Sequence, residues 1–176
     1  EDKKILLSNC VALWLKEGER VIKPSTHRKY RITLESIQKI IGDGYIDKFS
    51  AGYIRQKLIE SGEDNRTLNG YLKVFKTFWR WAYRSDFVKS PEVADKLQAF
   101  QDTPKRERIQ DKYLEPDELK TLLDTMTEKR WKLVTEFLAL SGLRIGELAS
   151  LIRSDVAGDY IHVAKTYDAN NKVVTS

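Results

Sequence analysis

The residues best suited to chemistry lie in the string Leu140-Ser141-Gly142-Leu143-Arg144-Ile145-Gly146-Glu147-Leu148. Gly142 permits a sharp break between two helices, so Arg144 is expected at the start of the second one. Its nearest neighbours are apolar, a setting in which an unpaired guanidinium would be costly. Glu147 lies three residues later on the same helical face and could orient Arg144, leaving the remaining donors for a phosphate. Taken alone, this spacing more often marks a structural ion pair.

The segments around this string are predicted to form helices followed by strands. Residues 115–118 are a strong helix start, because proline suits the first helical position and acidic side chains favour the positive end of the helix dipole. Apolar residues within 131–140 predict a second helix, and 144–151 a third. Residues 160–164 alternate around β-branched side chains as a strand does, and turn residues separate them from a returning strand at 172–175.

The first part of the chain has the pattern of a small helical bundle. Apolar spacing predicts helices over about 5–15, 25–41, 51–59 and 64–84, with a short one beginning at Pro91. Ser25 is expected to cap the second helix, since its hydroxyl can accept an amide of the first turn. Residues 98–112 have almost no apolar side chains and contain Lys105, Arg106, Arg108 and Lys112. We interpret this stretch as an exposed linker between two domains.

Charge is distributed unevenly along the chain. Residues 1–112 carry 23 Lys and Arg against 16 Asp and Glu, whereas residues 113–176 carry 8 against 10. A basic first part is expected if that part neutralises phosphates, although a solvated lysine face explains the same numbers. Charge alone therefore does not decide between these interpretations.

Other features limit the classes of function. No run of 18 apolar residues and no signal-peptide pattern is present, so we expect a soluble, cytoplasmic protein. Cys10, the single cysteine, lies in an apolar series and is expected to be a small buried hydrophobe. His27 and His162 are far apart and have no cysteines nearby, so we expect no metal and no cofactor.

Several segments, taken in order, resemble the tyrosine recombinases, or phage integrase family. The matching stretches are 26–59, Arg66-Thr67-Leu68-Asn69 through Phe78-Trp79-Arg80-Trp81-Ala82, Ser90-Pro91, Tyr113 to Leu119, the string around Arg144, 151–155 and 160–165. The resemblance implies a mainly α fold in three parts. Residues 1–97 would be a core-binding DNA domain, a SAM-like bundle of four to five helices; 98–112 would be the basic linker. Residues 113–176 would be the N-terminal part of an α+β catalytic domain with a small antiparallel sheet.

The resemblance also implies a reaction. In this family a tyrosine attacks the scissile phosphodiester, a 3′-phosphotyrosyl bond forms, and two arginines stabilise the phosphoryl charge without a metal. Arg144 would be the first of these arginines, with Glu147 in a supporting role. Lys165 matches the catalytic lysine if the strand hairpin is short. The boxes that carry the nucleophile follow the sheet in this family, so the 176-residue chain is expected to be inactive alone although its parent is a recombinase.

The expected partner is double-stranded DNA, bound in the full-length protein by a recombinase tetramer of a mobile element in a bacterial or phage host cell. The candidate DNA contacts lie on two helices: Thr26, Arg28, Lys29, Arg66, Thr67, Asn69, Lys73 and Lys76. Lysine and arginine would mainly grip phosphates, while Asn69 and Thr67 could touch bases. Two alternatives remain open, a non-catalytic helical DNA-binding regulator and a helical protein-interaction module.

Overall fold

The computed structural model of the protein describes residues 4–101, 113–169 and 172–175. The chain divides into two compact units, Glu1–Thr103 and Pro104–Ser176. Within the described ranges there are eight α-helices and two small antiparallel sheets, which confirms the predicted mainly α class. No helix in these ranges is long and apolar enough to cross a membrane. The same ranges contain no group of side chains arranged to hold a metal ion.

The first unit is a helical bundle. Its helices are α1 (Leu7–Gly18), α2 (Pro24–Ile41), α3 (Ala51–Glu60), α4 (Asn65–Arg84) and α5 (Glu92–Lys96), with a 3-10 turn at Ile46–Lys48. Ser50 caps α3, since its hydroxyl accepts the Tyr53 amide. The predicted cap at Ser25 is wrong. Helix α2 begins one residue earlier, at Pro24, whose fixed φ suits the first helical position.

The core of this unit is built on the apolar stripe of α4. Phe75, Phe78 and Trp79 are almost fully buried, and the Phe75 ring contacts both of the others in a tilted arrangement. Trp14 of α1 stacks on Tyr30 of α2 at 5.3 Å between ring centroids. Cys10 is fully buried beside them, and burial raises the pKa of its thiol to about 12. The cysteine is therefore a packing residue, as the sequence indicated.

Residues 98–101, which follow α5, are folded onto the bundle. Arg55 donates to the Gln98 carbonyl at 2.7 Å, and its guanidinium lies 4.3 Å from the centre of the Phe100 ring. Asn65 Nδ2 donates to the Gln101 carbonyl at 2.6 Å. These contacts attach residues 98–101 to the bundle, although Gln98, Ala99 and Gln101 are exposed. The linker boundary at residue 98 stays a prediction. Residues 102–112 of the predicted linker lie outside the described part of the chain.

The second unit contains three helices and four short strands. These are α6 (Pro116–Thr125), α7 (Lys129–Ser141), α8 (Ile145–Ser150), β1 (Val156–Ala157), β2 (Tyr160–Ile161), β3 (Thr166–Asp168) and β4 (Val173–Thr175). Strands β1 and β2 pair as one antiparallel hairpin, and β3 pairs with β4 in another, with Tyr167 opposite Val174. Two expectations are corrected here. The strand expected over 160–164 covers only Tyr160–Ile161. Residues 151–155, which the resemblance matches to the first strands of the catalytic sheet, are in large part a 3-10 turn at Arg153–Asp155.

Many large apolar side chains of the second unit face outward. Leu140 is 79% exposed, Leu133 67% and Trp131 57%. Among the described residues of this unit, only Ser150 and Asp155 are buried, and both are polar. Helices α6 and α7 thus have apolar side chains that the described residues of this unit do not cover.

Candidate nucleic-acid interface and phosphate site

Helix α4 has an unusual charge composition. Its 20 residues, NRTLNGYLKVFKTFWRWAYR, include two lysines, three arginines and no Asp or Glu. A helix whose basic residues serve only solubility normally mixes both signs, because oppositely charged pairs three or four residues apart stabilise it. The polar side of α4 therefore has the charge expected of a surface that binds a polyanion.

The basic side chains of α4 differ in their partners. Arg80 is paired with Asp95 of α5 at 2.9 Å. Lys73 is exposed and Lys76 half-buried, and within the described residues neither has a carboxylate at ion-pair distance. These two predicted phosphate contacts are thus available to an external anion.

Two polar residues predicted to touch bases are engaged inside the protein. The Asn69 side chain exchanges two hydrogen bonds with the backbone of Phe100, at 2.9 and 2.7 Å. The Thr67 hydroxyl donates to Asp64 Oδ2 at 2.6 Å, and Asp64 also accepts the Arg66 and Thr67 amides. The Thr67 hydroxyl is the main cause that lowers the pKa of Asp64. Asn69 therefore holds residues 98–101 against the bundle, and Thr67 takes part in the cap of α4. Arg66, beside this cap, is exposed.

The remaining predicted contacts lie on the first turns of α2, which packs directly against α4. Arg28 and Lys29 are exposed, and Thr26 is half-buried. A ring nitrogen of His27 is 2.8 Å from the Leu15 carbonyl, which ties the start of α2 to α1. The structure therefore brings the two predicted helices into one unit.

Arg144 is the N-cap residue of α8 and forms a pair with Glu147. One Glu147 oxygen accepts the Arg144 backbone amide at 2.8 Å, and the other accepts Arg144 Nη1 at 2.9 Å. Both bonds lower the pKa of Glu147, and the bond from the Arg144 backbone amide has the larger effect. The side chain of Arg144 is 85% exposed and that of Glu147 20%. The expected apolar setting for the guanidinium is therefore wrong, although the pairing expected from the spacing is present.

Glycine is required on either side of Arg144, at positions 142 and 146, for two different structural reasons. Gly142 ends α7 with φ +68°, in the left-handed region that favours glycine. Gly146 lies where α8 crosses β3, and a Cβ there would be 2.6 Å from Thr166 Oγ1 and 2.9 Å from the Tyr167 carbonyl oxygen. The sequence reasoning missed Gly146. The signal was a glycine inside a predicted helix, which indicates a close approach of another chain segment.

Lys165 directly precedes β3 and is held by the same small unit. Its ammonium is 3.2 Å from Asp155 Oδ2, and its carbonyl is 2.8 Å from the Ser150 hydroxyl of α8. Asp155 also accepts the Ile152 amide, which is the main cause that lowers its pKa. Lys165 therefore has a structural use in addition to the catalytic one that the resemblance implies.

The described fold is similar to lambda integrase, a tyrosine recombinase, in three solved structures. For a dimer bound to a COC′ core site the TM-score is 0.77 at 18% identity, covering 99% of this chain and 49% of that one. For a tetramer bound to a Holliday junction the TM-score is 0.77 at 18% identity, covering 99% of this chain and 51% of that one.

The third structure, residues 75–356 of lambda integrase bound to DNA, gives a TM-score of 0.73 at 18% identity, with 97% of this chain and 59% of that one covered. The chain thus spans about half to three fifths of the length of these proteins. No protein-family model matches the sequence, and no curated protein matches it. At this identity the likeness shows the fold.

Proposed function

We propose that this chain is the DNA-binding part of a site-specific tyrosine recombinase, joined to the beginning of its catalytic domain. In the full-length protein the catalytic domain would cut and rejoin DNA through a 3′-phosphotyrosyl intermediate, acting as a tetramer on double-stranded DNA. The observation that carries this proposal is that every charged residue of α4 is basic, on a fold that lambda integrase uses in complexes with DNA.

The helical unit would grip the phosphate backbone. Lys73 and Lys76 are the strongest candidates, because neither is neutralised by a carboxylate within the described residues. Arg66, at the exposed start of the same helix, and Arg28 and Lys29 of α2 would add phosphate contacts. Phosphate contacts of this kind fix the position of a protein on DNA without reading its sequence.

Arg144 would bind the scissile phosphate. Its guanidinium is exposed, yet one of its nitrogens is held by Glu147, so the fork remains oriented while its other donors face outward. A planar cation with several donors suits a phosphoryl group whose negative charge grows in the transition state. Lys165 would act with Arg144 on the phosphate only after its ion pair with Asp155 is broken.

The outward-facing apolar side chains of α6 and α7 support a place in a larger catalytic domain. Leu133, Leu140 and Trp131 would become buried against further parts of that domain. The nucleophile would lie in those parts. Tyr160 is 81% exposed on β2, and we assign it and Tyr167 to the sheet.

Duplex binding tests the first half of the proposal. Fluorescence anisotropy with a labelled 30-base-pair duplex, measured from low to moderate salt, should give an affinity that falls steeply with salt. Lys73→Ala and Lys76→Ala should each weaken binding to all sequences and reduce the salt slope by about one per lost phosphate contact. Lys57→Ala is the matched control, because Lys57 is already paired with Glu60 at 2.7 Å. If a Lys73→Ala/Lys76→Ala double variant and the Lys57→Ala control had equal DNA affinities and equal salt slopes, α4 would not be part of the DNA interface.

A non-catalytic DNA-binding regulator is the second candidate, since the basic side of α4 supports both functions equally. The two differ at Arg144. A suicide DNA substrate should give no covalent adduct with the 176-residue chain. It should give an adduct with a longer recombinase chain that includes the nucleophile, and Arg144→Ala in that chain should abolish it. An adduct that forms equally well without Arg144 would favour a structural role for this residue.

A further inference from the structure

We propose that Gly70 marks the place where the DNA backbone comes closest to α4, so that this glycine is a positioning residue of the interface. The inference deepens the proposed DNA-binding function and rests on it. It concerns a residue whose presence the packing of the protein does not explain.

Gly70 is the sixth residue of α4 and is exposed. Glycine in a helix interior destabilises it relative to alanine, because glycine loses more backbone freedom on folding. Such a residue is usually explained by a close neighbour, as Gly146 is by β3. A Cβ on Gly70, in contrast, would meet no atom of the described residues within 4 Å, and φ is not positive there. The described fold therefore gives no reason for glycine at this position.

The surroundings of Gly70 indicate what the space is for. Arg66 lies four residues before it and Lys73 three residues after it, so all three share one side of the helix. Thr77, one turn further, lies on the same side and is exposed. A residue without a side chain between two cations lets a phosphate backbone approach the helix closely enough for both cations to reach it. A protein partner would be expected to contact apolar or acidic groups, and this side of α4 has none between Arg66 and Thr77.

A series of substitutions separates this role from a structural one. Alanine and leucine at position 70 both favour helix, so Gly70→Ala and Gly70→Leu should raise Tm, by roughly 3–6 °C for alanine. The same substitutions should weaken duplex binding in order of side-chain size, with roughly a tenfold loss for leucine, equivalent to about 1.4 kcal/mol. Gly52→Ala and Gly52→Leu are the matched controls, because a Cβ on Gly52 of α3 would also meet nothing within 4 Å. They should leave DNA affinity unchanged.

Each outcome has a defined meaning. Higher Tm with weaker binding at position 70, and no loss at position 52, supports the inference. Unchanged affinity of Gly70→Leu, in a protein whose binding Lys73→Ala does weaken, overturns it while leaving the proposed function intact. A lower Tm for Gly70→Ala also overturns it, since the glycine would then be needed by the fold. Absence of any salt-dependent duplex binding by the wild type would overturn the proposed function itself.

Discussion

Asn69 and Phe100 exchange two hydrogen bonds across 31 residues of sequence. Asn69 Nδ2 donates to the Phe100 carbonyl at 2.9 Å, and the Phe100 amide donates to Asn69 Oδ1 at 2.7 Å. The side-chain amide thus replaces a backbone partner for a segment that belongs to no helix or strand. This pair, with Arg55 and Asn65, fixes residues 98–101 on the bundle.

Replacing Asn69 by alanine should therefore destabilise the first unit. Two partly buried backbone groups of Phe100 would lose their partners, and each loss of this kind costs about 1–3 kcal/mol. Urea unfolding followed by tryptophan fluorescence measures the change. Asn65→Ala is the control, since Asn65 makes one exposed hydrogen bond to Gln101 and should cost less. If Asn69→Ala keeps its stability but loses DNA affinity, Asn69 contacts DNA as the sequence first indicated.

The sequence predicted the helices of both units well because their signals are local. Asp64 and Ser50 cap helices where a polar side chain precedes an apolar stripe, and Gly142 ends a helix with a positive φ. The pairing of Arg144 with Glu147 was predictable for the same reason, since both residues lie on one turn.

The remaining features depend on contacts distant in sequence. Nothing near Asn69 indicates that its partner is Phe100, and nothing near Gly146 indicates β3. The exposure of Arg144 depends on which segments cover α8, a property of the whole domain. The DNA-binding role of each cation likewise depends on a partner that leaves no local pattern beyond the charge of α4.

Gly146→Ala should loosen the contact between α8 and β3. The added methyl group would lie 2.9 Å from the Tyr167 carbonyl oxygen, which is backbone and cannot rotate away, and overpacking of this kind costs roughly 1–3 kcal/mol. Hydrogen–deuterium exchange should show faster exchange in β3 and α8. Ala149→Ser, at an exposed position of the same helix, should leave exchange unchanged. Equal protection in Gly146→Ala would show that α8 and β3 are not in close contact in solution.

Limited trypsin digestion should cut the native protein first within residues 102–112. This stretch contains Lys105, Arg106, Arg108 and Lys112, and the boundary between the two compact units, at Thr103 and Pro104, falls inside it. Mass spectrometry of the early fragments should give a piece that retains residues 98–101 with the bundle. Early cleavage after Lys73 instead would place the weak point inside α4 and contradict the boundary.

Arg144→Met should raise the pKa of Glu147 only part of the way to its ordinary value of 4.5. The largest cause of the lowered pKa is the Arg144 backbone amide, which a side-chain substitution retains, whereas the guanidinium is the second cause. A pH titration of the Glu147 side-chain carbon by NMR measures both values. A return to 4.5 in Arg144→Met would mean that the backbone bond does not form, and that α8 does not begin at Arg144.

The same pair should make stability depend on pH in a defined direction. Folding lowers the pKa of Glu147, so its carboxylate stabilises the fold at pH above about 4.5, and this contribution disappears as the pH falls through the folded-state value. The stability difference between the wild type and Glu147→Gln should therefore be larger at pH 7 than at pH 3. Urea unfolding at both pH values measures it, with Glu136→Gln on α7 as a control. A difference that grows toward pH 3 would mean that Glu147 is stabilised in its protonated form, and it could then not orient Arg144 toward a phosphate.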